Sequence, residues 1–503
     1  MKKINLLLLM SLMFGVVLFN SCDDDDDDDN PIIPDAPSVT APSSSSTVEA
    51  GQSTDVSFTV SAPGGYASAT VSAQSGSASI SSQPDAGATS GTVVVSFTAG
   101  TEGGAASVTL TVTDANQKSD NATAVLTVNE EETTVYVSSN ISEDMTWETG
   151  KVYILQSRIA VEDGVTLTIE PGVIIKGEAG SEANATALMV TRGAKLMAEG
   201  TPESPIIFTS VADEIMPGEI ASPNLGTDMN GLWGGLLILG KAPISADAET
   251  AQIEGIPPSD PNGLYGGTEP EDNSGVIKYV SIRHGGTNIG EGNEINGLSL
   301  GGVGSGTTIE NIEIVSNQDD GIEWFGGTVN VKNVVVWNTG DDAIDGDQAW
   351  TGSVDNFAII APGDKCFELD GPEGADATAN YKIKNGTIMA TTYSLNEDNE
   401  LEVDRSAVGL VDNDANTNVD MENLYFFNVI DGQTFDQIPT EYECTFSNFE
   451  VTLPEGKVVT DFFKDGSDAF TTAVEAGSNT VGADVSQFAG WSWAAVAGAL
   501  DEF

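Results

Sequence analysis

The sequence predicts an all-β chain in which an immunoglobulin-like β-sandwich precedes a right-handed parallel β-helix. Three observations predict this class. A unit of about 22 residues repeats in the centre of the chain, residues 47–129 alternate between apolar and polar side chains, and glycine is abundant. Of the 503 residues, 55 are glycine and only 19% are charged. This composition suits short strands joined by tight turns and argues against long surface helices.

The central repeat predicts a solenoid of stacked strands. The stretches 311–314, 333–336 and 356–359 each begin with asparagine and follow one another at steps of 22 and 23 residues. A second column in the same register comprises 321–323, 343–345 and 366–368. The period also suits a leucine-rich repeat, but that signature is absent, so a parallel β-helix over residues 133–503 fits best. Stacked rungs lie about 4.8 Å apart, which makes the residues of one column neighbours.

The segment before the coil predicts a spacer. Val56, Phe58 and Val60 alternate with polar residues, as expected for a half-buried strand. About eighty residues of such short strands, 47–129, favour an immunoglobulin-like sandwich without any chemical motif. Residues 22–46 are acidic at first and then rich in proline and serine, so we expect a tether there.

The N-terminus predicts a lipid-anchored, exported protein. Two lysines and an apolar run are typical of a secretory signal peptide, here residues 1–21. The run ends in Leu18-Phe19-Asn20-Ser21-Cys22, which resembles a lipobox and implies that Cys22 carries the lipid that binds the bilayer. Seven aspartates at 23–29 resemble the acidic export tag of surface lipoproteins in some Gram-negative groups. That resemblance implies the extracellular face of the outer membrane, and the alternative is a solvated tether on the periplasmic side.

The charge balance excludes one class of partner and favours another. With 77 acidic and 18 basic residues, the formal net charge is −59. A nucleic-acid partner is excluded because phosphate binding needs a basic surface. The same excess favours divalent cations as ligands. Besides Cys22 the chain holds Cys366 and Cys444, and the sequence leaves open whether they form a disulfide or are two free thiols.

Acidic side chains fall into stacked columns of the repeat. The columns comprise Asp319, Asp341 and Asp364, then Asp320 and Asp342, and then Glu323, Asp345 and Glu368. Carboxylates one rung apart repel by about 1 kcal/mol or more, so the fold must bind a cation, protonate them or keep them solvated. Ca²⁺ prefers about six to eight oxygen ligands, and its expected ligands are Asp319, Asp320, Asp341, Asp342 and Asp345. The alternatives are turns capped by aspartate and a catalytic pair of carboxylates.

A short stretch, 338–345, resembles the Gly-Asp-Asp segment of polygalacturonase-type hydrolases. In that family the paired aspartates act as acid and base, which implies catalytic roles for Asp341 and Asp342, with Asp345 beside them. The family also carries a downstream Gly-His-Gly, whereas His284, the only histidine here, lies upstream. Pectate lyases share the fold class and use Ca²⁺ with an arginine base. The nominal arginines are Arg158, Arg192, Arg283 and Arg405, none of them in a matching signature.

A longer resemblance covers residues 133–503. It is to a family of secreted and surface β-helix proteins of Gram-negative bacteria with a pectin-lyase-like fold. The matching stretches are 232–236, 272–275, 301–307, 319–327 and 488–494. This resemblance implies the fold and a location at the cell surface, and it implies no established activity.

Several residues are candidates for contact with a ligand, expected to be an extracellular polysaccharide. They are Arg283, His284, Glu323, Trp324 and Trp350. Exposed tryptophan stacks well on sugar rings, but a tryptophan beside a coil is also a common core residue. We expect Trp337 to pack in the interior, and Trp491 with Trp493 to plug the open end of the coil.

These observations predict a surface protein with a binding or adhesion role, whose coil is stabilised by Ca²⁺. The alternative is a β-helix polysaccharide lyase or glycoside hydrolase that uses Asp341, Asp342 and Asp345. A third possibility is a purely structural component of the surface layer. Glycan pull-down and reducing-sugar release separate the first two. The most informative single observation is whether the carboxylate columns line an open groove or lie under a loop.

Overall fold

The structure is a computed structural model that describes residues 34–129, 133–257, 259–290, 293–372, 379–396, 399–438 and 444–503. The chain divides into two compact units, with the division at residues 131 and 132. The predicted signal peptide, Cys22 and the aspartate run lie outside the described residues. Within those residues, no helix is both long enough and apolar enough to cross a membrane.

The described part of the first unit is a β-sandwich. One four-stranded sheet comprises, in spatial order, Ser38–Thr40, Ser53–Ser61, Ser90–Ala99 and Gly76–Ser82, and the other comprises Ser46–Glu49, Ser119–Asn129, Gly104–Asp114 and Tyr66–Gln74. Phe58, Phe97 and Leu110 lie in its core because alternate residues of a strand face one side. The sandwich begins before the predicted residue 47. Residues 38–40 already pair with 59–61, so the end of the predicted tether belongs to this unit.

The second unit is a right-handed parallel β-helix. Its long sheet comprises Thr134–Val137, Val152–Leu155, Ile174–Gly177, Ile206–Ser210, Gly275–Arg283, Thr308–Val315, Asn330–Trp337, Ser353–Ile360, Tyr381–Met389, Val419–Phe427, Thr445–Val451 and Thr471–Ala473, joined by the column Met145–Trp147, Thr166–Ile169 and Lys195–Glu199. Its short sheet comprises Arg158–Val161, Ala187–Val190, Leu236–Leu239, Leu298–Gly301, Ile322–Gly327, Ile344–Trp350, Phe367–Leu369 and Asp412–Asn413. Antiparallel pairs on the loops are Ala251–Gln252 with Leu264–Tyr265, Asn288–Gly290 with Asn293–Glu294, and Thr391–Leu395 with Leu401–Ser406.

The repeated asparagines bend the strands of the long sheet. The predicted register is confirmed, because Ile312 pairs with Val334 and Val334 with Phe357. The asparagine before each adopts the left-handed backbone conformation, with φ between 56° and 62° at Asn311, Asn333 and Asn356. Asparagine tolerates this conformation better than most residues. Its amide also donates to the asparagine of the preceding rung, as from Asn356 Nδ2 to Asn333 Oδ1 at 2.8 Å.

The C-terminal segment runs along the side of the coil. The short helices are Val459–Phe462 and Trp493–Val496, with 3₁₀ turns at Glu182–Asn184, Pro261–Gly263, Ser467–Phe470 and Val485–Phe488. Trp491 is fully buried against a cluster that includes Val335 and Ala358 on the outer face of the long sheet. The expectation that Trp491 and Trp493 plug the open end is therefore wrong. A phenylalanine cluster that includes Phe449 packs at the last strands instead.

Candidate functional site

The short sheet aligns the acidic columns as predicted. Ile322 pairs with Ile344 and Ile344 with Phe367, so the residues that follow them also stack. The resulting column contains Glu323, Asp345, Glu368 and, one rung further, Asp412. The turn before this sheet brings together two further sets of carboxyl oxygens within 4.8 Å, namely Asp319 with Asp320 and Asp341, and Asp341 with Asp342 and Asp364.

Three of these carboxyls form a buried trio. One oxygen each of Asp320, Glu323 and Asp345 lies within 4.8 Å of the others. The three residues are 6%, 5% and 7% exposed. Glu323 and Asp345 lie on the outer face of the short sheet and Asp320 in the turn before it, so burial there requires a cover.

Insertions from the coil provide this cover. Asn296 Nδ2 donates a hydrogen bond to Glu323 Oε2. Ser245 Oγ donates to Gln348 Oε1 at 3.2 Å, and Ile253 packs with Phe325 beside the trio. The columns therefore lie under a loop at the trio, rather than in an open groove.

Part of the acidic set stabilises turns, which was one of the alternatives. Asp320 Oδ1 accepts a hydrogen bond from the backbone N–H of Asp342 at 2.9 Å. Asp342 Oδ1 accepts one in turn from the N–H of Lys365. Each aspartate thus ties its own turn to that of the next rung.

Burial and mutual repulsion raise the pKa values of these carboxyls. Burial, followed by repulsion from Asp345, raises the pKa of Asp320 well above its usual value, and burial with repulsion from Glu323 does the same for Asp345. Burial raises the pKa of Asp342 to about 10, with a hydrogen bond to Glu368 as the second cause. Burial and repulsion from Asp341 raise the pKa of Asp319 to about 7. The fold therefore needs protons or a cation to hold these groups together.

The trio fits a hard divalent cation. Asp345 Oδ1 is buried without a hydrogen-bond partner, and so is Asn296 Oδ1 next to Glu323. The charged groups that shift the pKa of Asp320, Glu323 and Asp345 are all carboxyls. An all-oxygen set with excess negative charge suits Ca²⁺, whereas zinc sites draw on histidine or cysteine.

Asp319, Asp341 and Asp364, here called the outer row, are more exposed than the buried trio. Asp341 lies at the surface, and Asp319 and Asp364 are partly exposed. Lys365 Nζ lies 2.8 Å from Asp364 Oδ1, which neutralises one end of the row. Of the three residues predicted as catalytic, only Asp341 is therefore open to a large substrate, because Asp342 is 2% and Asp345 7% exposed.

Arg283 and His284 lie away from the columns, on the long sheet. Arg283 is fully buried and pairs with Glu313 at 3.5 Å, beneath the ring of Trp493. His284 Nδ1 donates to the carbonyl of Met229 at 2.5 Å, and burial lowers its pKa. The structure does not join this pair to the carboxylates, and full burial contradicts their prediction as ligand contacts.

Trp324 and Trp350 lie inside the coil. They are 0% and 1% exposed, and their rings stack at a centroid distance of 4.6 Å. Gly346 leaves room for the ring of Tyr381, which packs on Trp350, because a Cβ at this position would lie 2.7 Å from that ring. The prediction that a sugar stacks on these tryptophans is wrong, since neither face is accessible. Glu323 is likewise covered.

Sequence reasoning missed Asn296 and left the cysteines open. Asn296 stands directly before the rung 297–299, in the column of Asp320 and Asp342, so the same register could have identified it. Cys366 and Cys444 are both free thiols. Burial raises the pKa of both, which makes them poor nucleophiles.

The comparisons with known proteins identify the family. A family described as "Pectate-lyase like beta helix domain" matches residues 139–494, so the chain belongs to this family of β-helix proteins. No curated protein matches the chain. Two similar solved structures are a family 28 exopolygalacturonase of Yersinia enterocolitica (12% identity, TM-score 0.20) and the catalytic unit of a GH87 α-1,3-glucanase of Streptomyces thermodiastaticus strain HF3-3 (11% identity, TM-score 0.25). Each match covers 84% of this chain and 88% of the other. With TM-scores this low, neither activity bears on this chain.

Proposed function

We propose that the protein is a glycan-binding β-helix protein of the cell surface, whose buried carboxyl trio holds a structural Ca²⁺ ion. The cover over the trio carries this proposal. It buries an unpartnered Asp345 oxygen among other carboxyls, which favours a cation. Asp345 and Asp342 are both too buried for contact with a polysaccharide, which disfavours catalysis by them.

A Ca²⁺ ion at the trio would convert repulsion into attraction. Asp320, Glu323 and Asp345 offer carboxyl oxygens from two adjacent rungs, and Asn296 offers a neutral oxygen. A bound ion would therefore tie these rungs together on their outer face.

Thermal melting of the full-length chain tests the ion. We expect a higher melting temperature in millimolar Ca²⁺ than in EDTA, by about 5 °C, because ligand at a hundredfold excess over Kd adds about 2.7 kcal/mol. NaCl at equal ionic strength and Mg²⁺ serve as controls. A shift no larger than that given by NaCl would contradict the ion site.

Surface display through Cys22 is a separate part of the proposal. It is supported by the lipobox-like sequence and the aspartate run that follows. Labelling with an alkyne fatty acid should mark the wild type and the Cys444→Ala variant, but not Cys22→Ala. Protease treatment of intact cells should digest the β-helix, and its protection there would contradict display on the outside.

Catalysis remains the second candidate because of one observation at the outer row. Asp341 is exposed next to Asp319, whose pKa is raised to about 7, and such a pair can supply a base and an acid near neutral pH. The release of reducing sugar would reveal a hydrolase, and absorbance of unsaturated products would reveal a lyase. If an Asp319→Asn/Asp341→Asn double variant matched the wild-type rate, these residues would not be catalytic.

A further inference from the structure

A cleft on the long sheet is a different site from the buried carboxyl trio, which belongs to the short sheet. Its floor consists of Trp337, Ile360 and Met389, which stack in one column after the asparagine bends. The pair Thr391–Leu395 and Leu401–Ser406 forms one wall, and residues 498–502 form the other. We call this site the hairpin cleft. Its volume of about 590 Å³ falls in the usual range of ligand pockets.

The walls of the hairpin cleft are held in place without a ligand. Arg405 Nε donates to the carbonyl of Ala361 at 2.8 Å, which fixes the hairpin to the coil. Gln433 Nε2 donates to the carbonyl of Ala407 at 2.8 Å at the base of the same hairpin. Phe503 packs edge-on against Phe427 at 5.2 Å and holds the opposite wall. A preformed cleft loses little conformational entropy when it binds a ligand.

Two aromatic side chains of the cleft remain accessible. Trp337 is only partly buried, and its neighbour Trp493 meets it edge-on at 5.8 Å, an arrangement that leaves ring surface uncovered. Tyr393 is 43% exposed on the hairpin wall. The C–H faces of sugar rings pack well on flat aromatic faces in a wet cleft. Trp337, which we expected to pack in the interior, is also partly accessible from the cleft.

The polar side chains of the cleft define the class of ligand. They are Thr227, Asn338, Thr392, Asp404, Asn428 and Glu502. Hydroxyl, amide and carboxyl groups pair well with sugar hydroxyls, which both donate and accept. The lining contains no cationic side chain, and the guanidinium of Arg405 is directed at backbone carbonyls. Two carboxyls in a chain of net charge −59 would repel a uronate or a sulfated sugar.

We infer that the hairpin cleft binds a neutral saccharide unit, with Trp337 and Tyr393 as stacking surfaces and Asp404 and Glu502 as acceptors for sugar hydroxyls. This inference rests on the proposed glycan-binding function and names its site and ligand class. It is independent of the carboxyl trio, which lies on the short sheet.

Affinity electrophoresis of the full-length chain tests the cleft, in a detergent without a sugar headgroup. The probes are neutral polysaccharides (dextran, mannan, galactan and xylan) and uronates (polygalacturonate and alginate). We expect retention by at least one neutral polymer. Trp337→Ala should weaken it at least about tenfold and Trp337→Phe by less, because a ring remains. Tyr393→Ala should weaken it too, whereas Tyr136→Ala, an exposed tyrosine of the first coil strand, should not.

The outcomes separate the cleft from the proposed function. If a neutral polymer binds and neither Trp337→Ala nor Tyr393→Ala weakens that binding, the hairpin cleft is not the binding site, although the proposed glycan-binding function still holds. Binding of uronates alone would overturn the ligand class. Binding of none would overturn both proposals. A cooperative thermal transition and a far-ultraviolet circular dichroism spectrum equal to those of the wild type show that each variant is folded, and the exposed Tyr393 provides a test even if Trp337→Ala fails to fold.

Discussion

Replacing Asp345 with asparagine should have opposite effects with and without Ca²⁺. The substitution removes one of three buried carboxyls and keeps the shape of the side chain. Two carboxylates whose oxygens lie within 4.8 Å of each other repel by at least about 3.5 kcal/mol at an effective dielectric constant of about 20. A charged Asp345 that faces both Asp320 and Glu323 therefore costs at least about 7 kcal/mol.

Protonation limits that cost in the metal-free protein. Keeping a carboxyl with an ordinary pKa of 3.8 protonated at pH 7 costs about 4.4 kcal/mol, which is less than the repulsion. The trio without a cation therefore keeps a proton, and the asparagine variant gains at most this amount. The buried amide needs partners of its own, at about 1–3 kcal/mol, so we expect a net gain of about 2 kcal/mol at pH 7. At pH 5 the cost of keeping the carboxyl protonated, which limits the gain in stability, falls to about 1.6 kcal/mol. The variant should then gain no stability over the wild type.

In Ca²⁺ the order of stability should reverse. The wild type gains about 2.7 kcal/mol at a hundredfold excess of ion over Kd, whereas the variant has lost a charged ligand. Melting curves of the wild type and the variant in EDTA and in millimolar Ca²⁺ show whether the order of their melting temperatures reverses. Asp414→Asn is the matched control, because it removes the same charge from an exposed position. If Asp345→Asn melted below the wild type in EDTA at pH 7 as well, the trio would not be under electrostatic strain and the reasoning would fail.

Three further predictions concern pH, the buried ion pair and the asparagine bends. A carboxyl whose pKa is higher in the folded than in the unfolded chain favours folding most below its unfolded pKa, about 4. This contribution is lost as pH rises toward the folded pKa, which is about 7 for Asp319 and about 10 for Asp342. Urea unfolding in EDTA should therefore show stability falling by up to about 1.4 kcal/mol per pH unit for each group, with Ca²⁺ reducing the slope; a rise toward pH 8 would contradict the shifts. Arg283→Met should cost about 3–5 kcal/mol, because it leaves Glu313 buried without its cation, and should leave glycan binding unchanged in the folded fraction; an unchanged melting temperature would refute this. Asn356→Ala should cost about 2–3 kcal/mol in urea unfolding and Asn356→Gly about 1–2 kcal/mol less, because φ is 62° there; equal losses would show that the backbone conformation does not matter.

The register of the coil could be predicted from sequence because stacking leaves a direct trace. A strand that lies on its predecessor repeats the same inward and outward positions, so the steps from Asn311 to Asn333 and from Ile322 to Ile344 give the pairing. The columns of carboxyls followed from this register. The left-handed conformation at the asparagines did not, because asparagine is also common in ordinary turns.

The cover over the trio and the positions of the tryptophans could not be predicted in this way. They depend on contacts between segments far apart in the chain and outside the repeat, such as that of Ser245 with Gln348. Tyr381 packs on the buried Trp350 over the space left by Gly346, a contact that a pattern of apolar residues does not reveal. The predicted start of the sandwich at residue 47 was wrong for a related reason, because the short strand at 38–40 lies in a sequence that otherwise indicates a linker.

The returning C-terminal segment makes the coil dependent on its last residues. Most contacts of a solenoid join adjacent rungs, but the N–H of Ala494 donates to Glu313, 181 positions earlier in the chain. Pairings of such long separation form slowly during folding. A shortened chain lacking residues 484–503 would expose Val335 and Ala358 and leave Glu313 without its backbone donor, so damage at one end would weaken rungs in the middle.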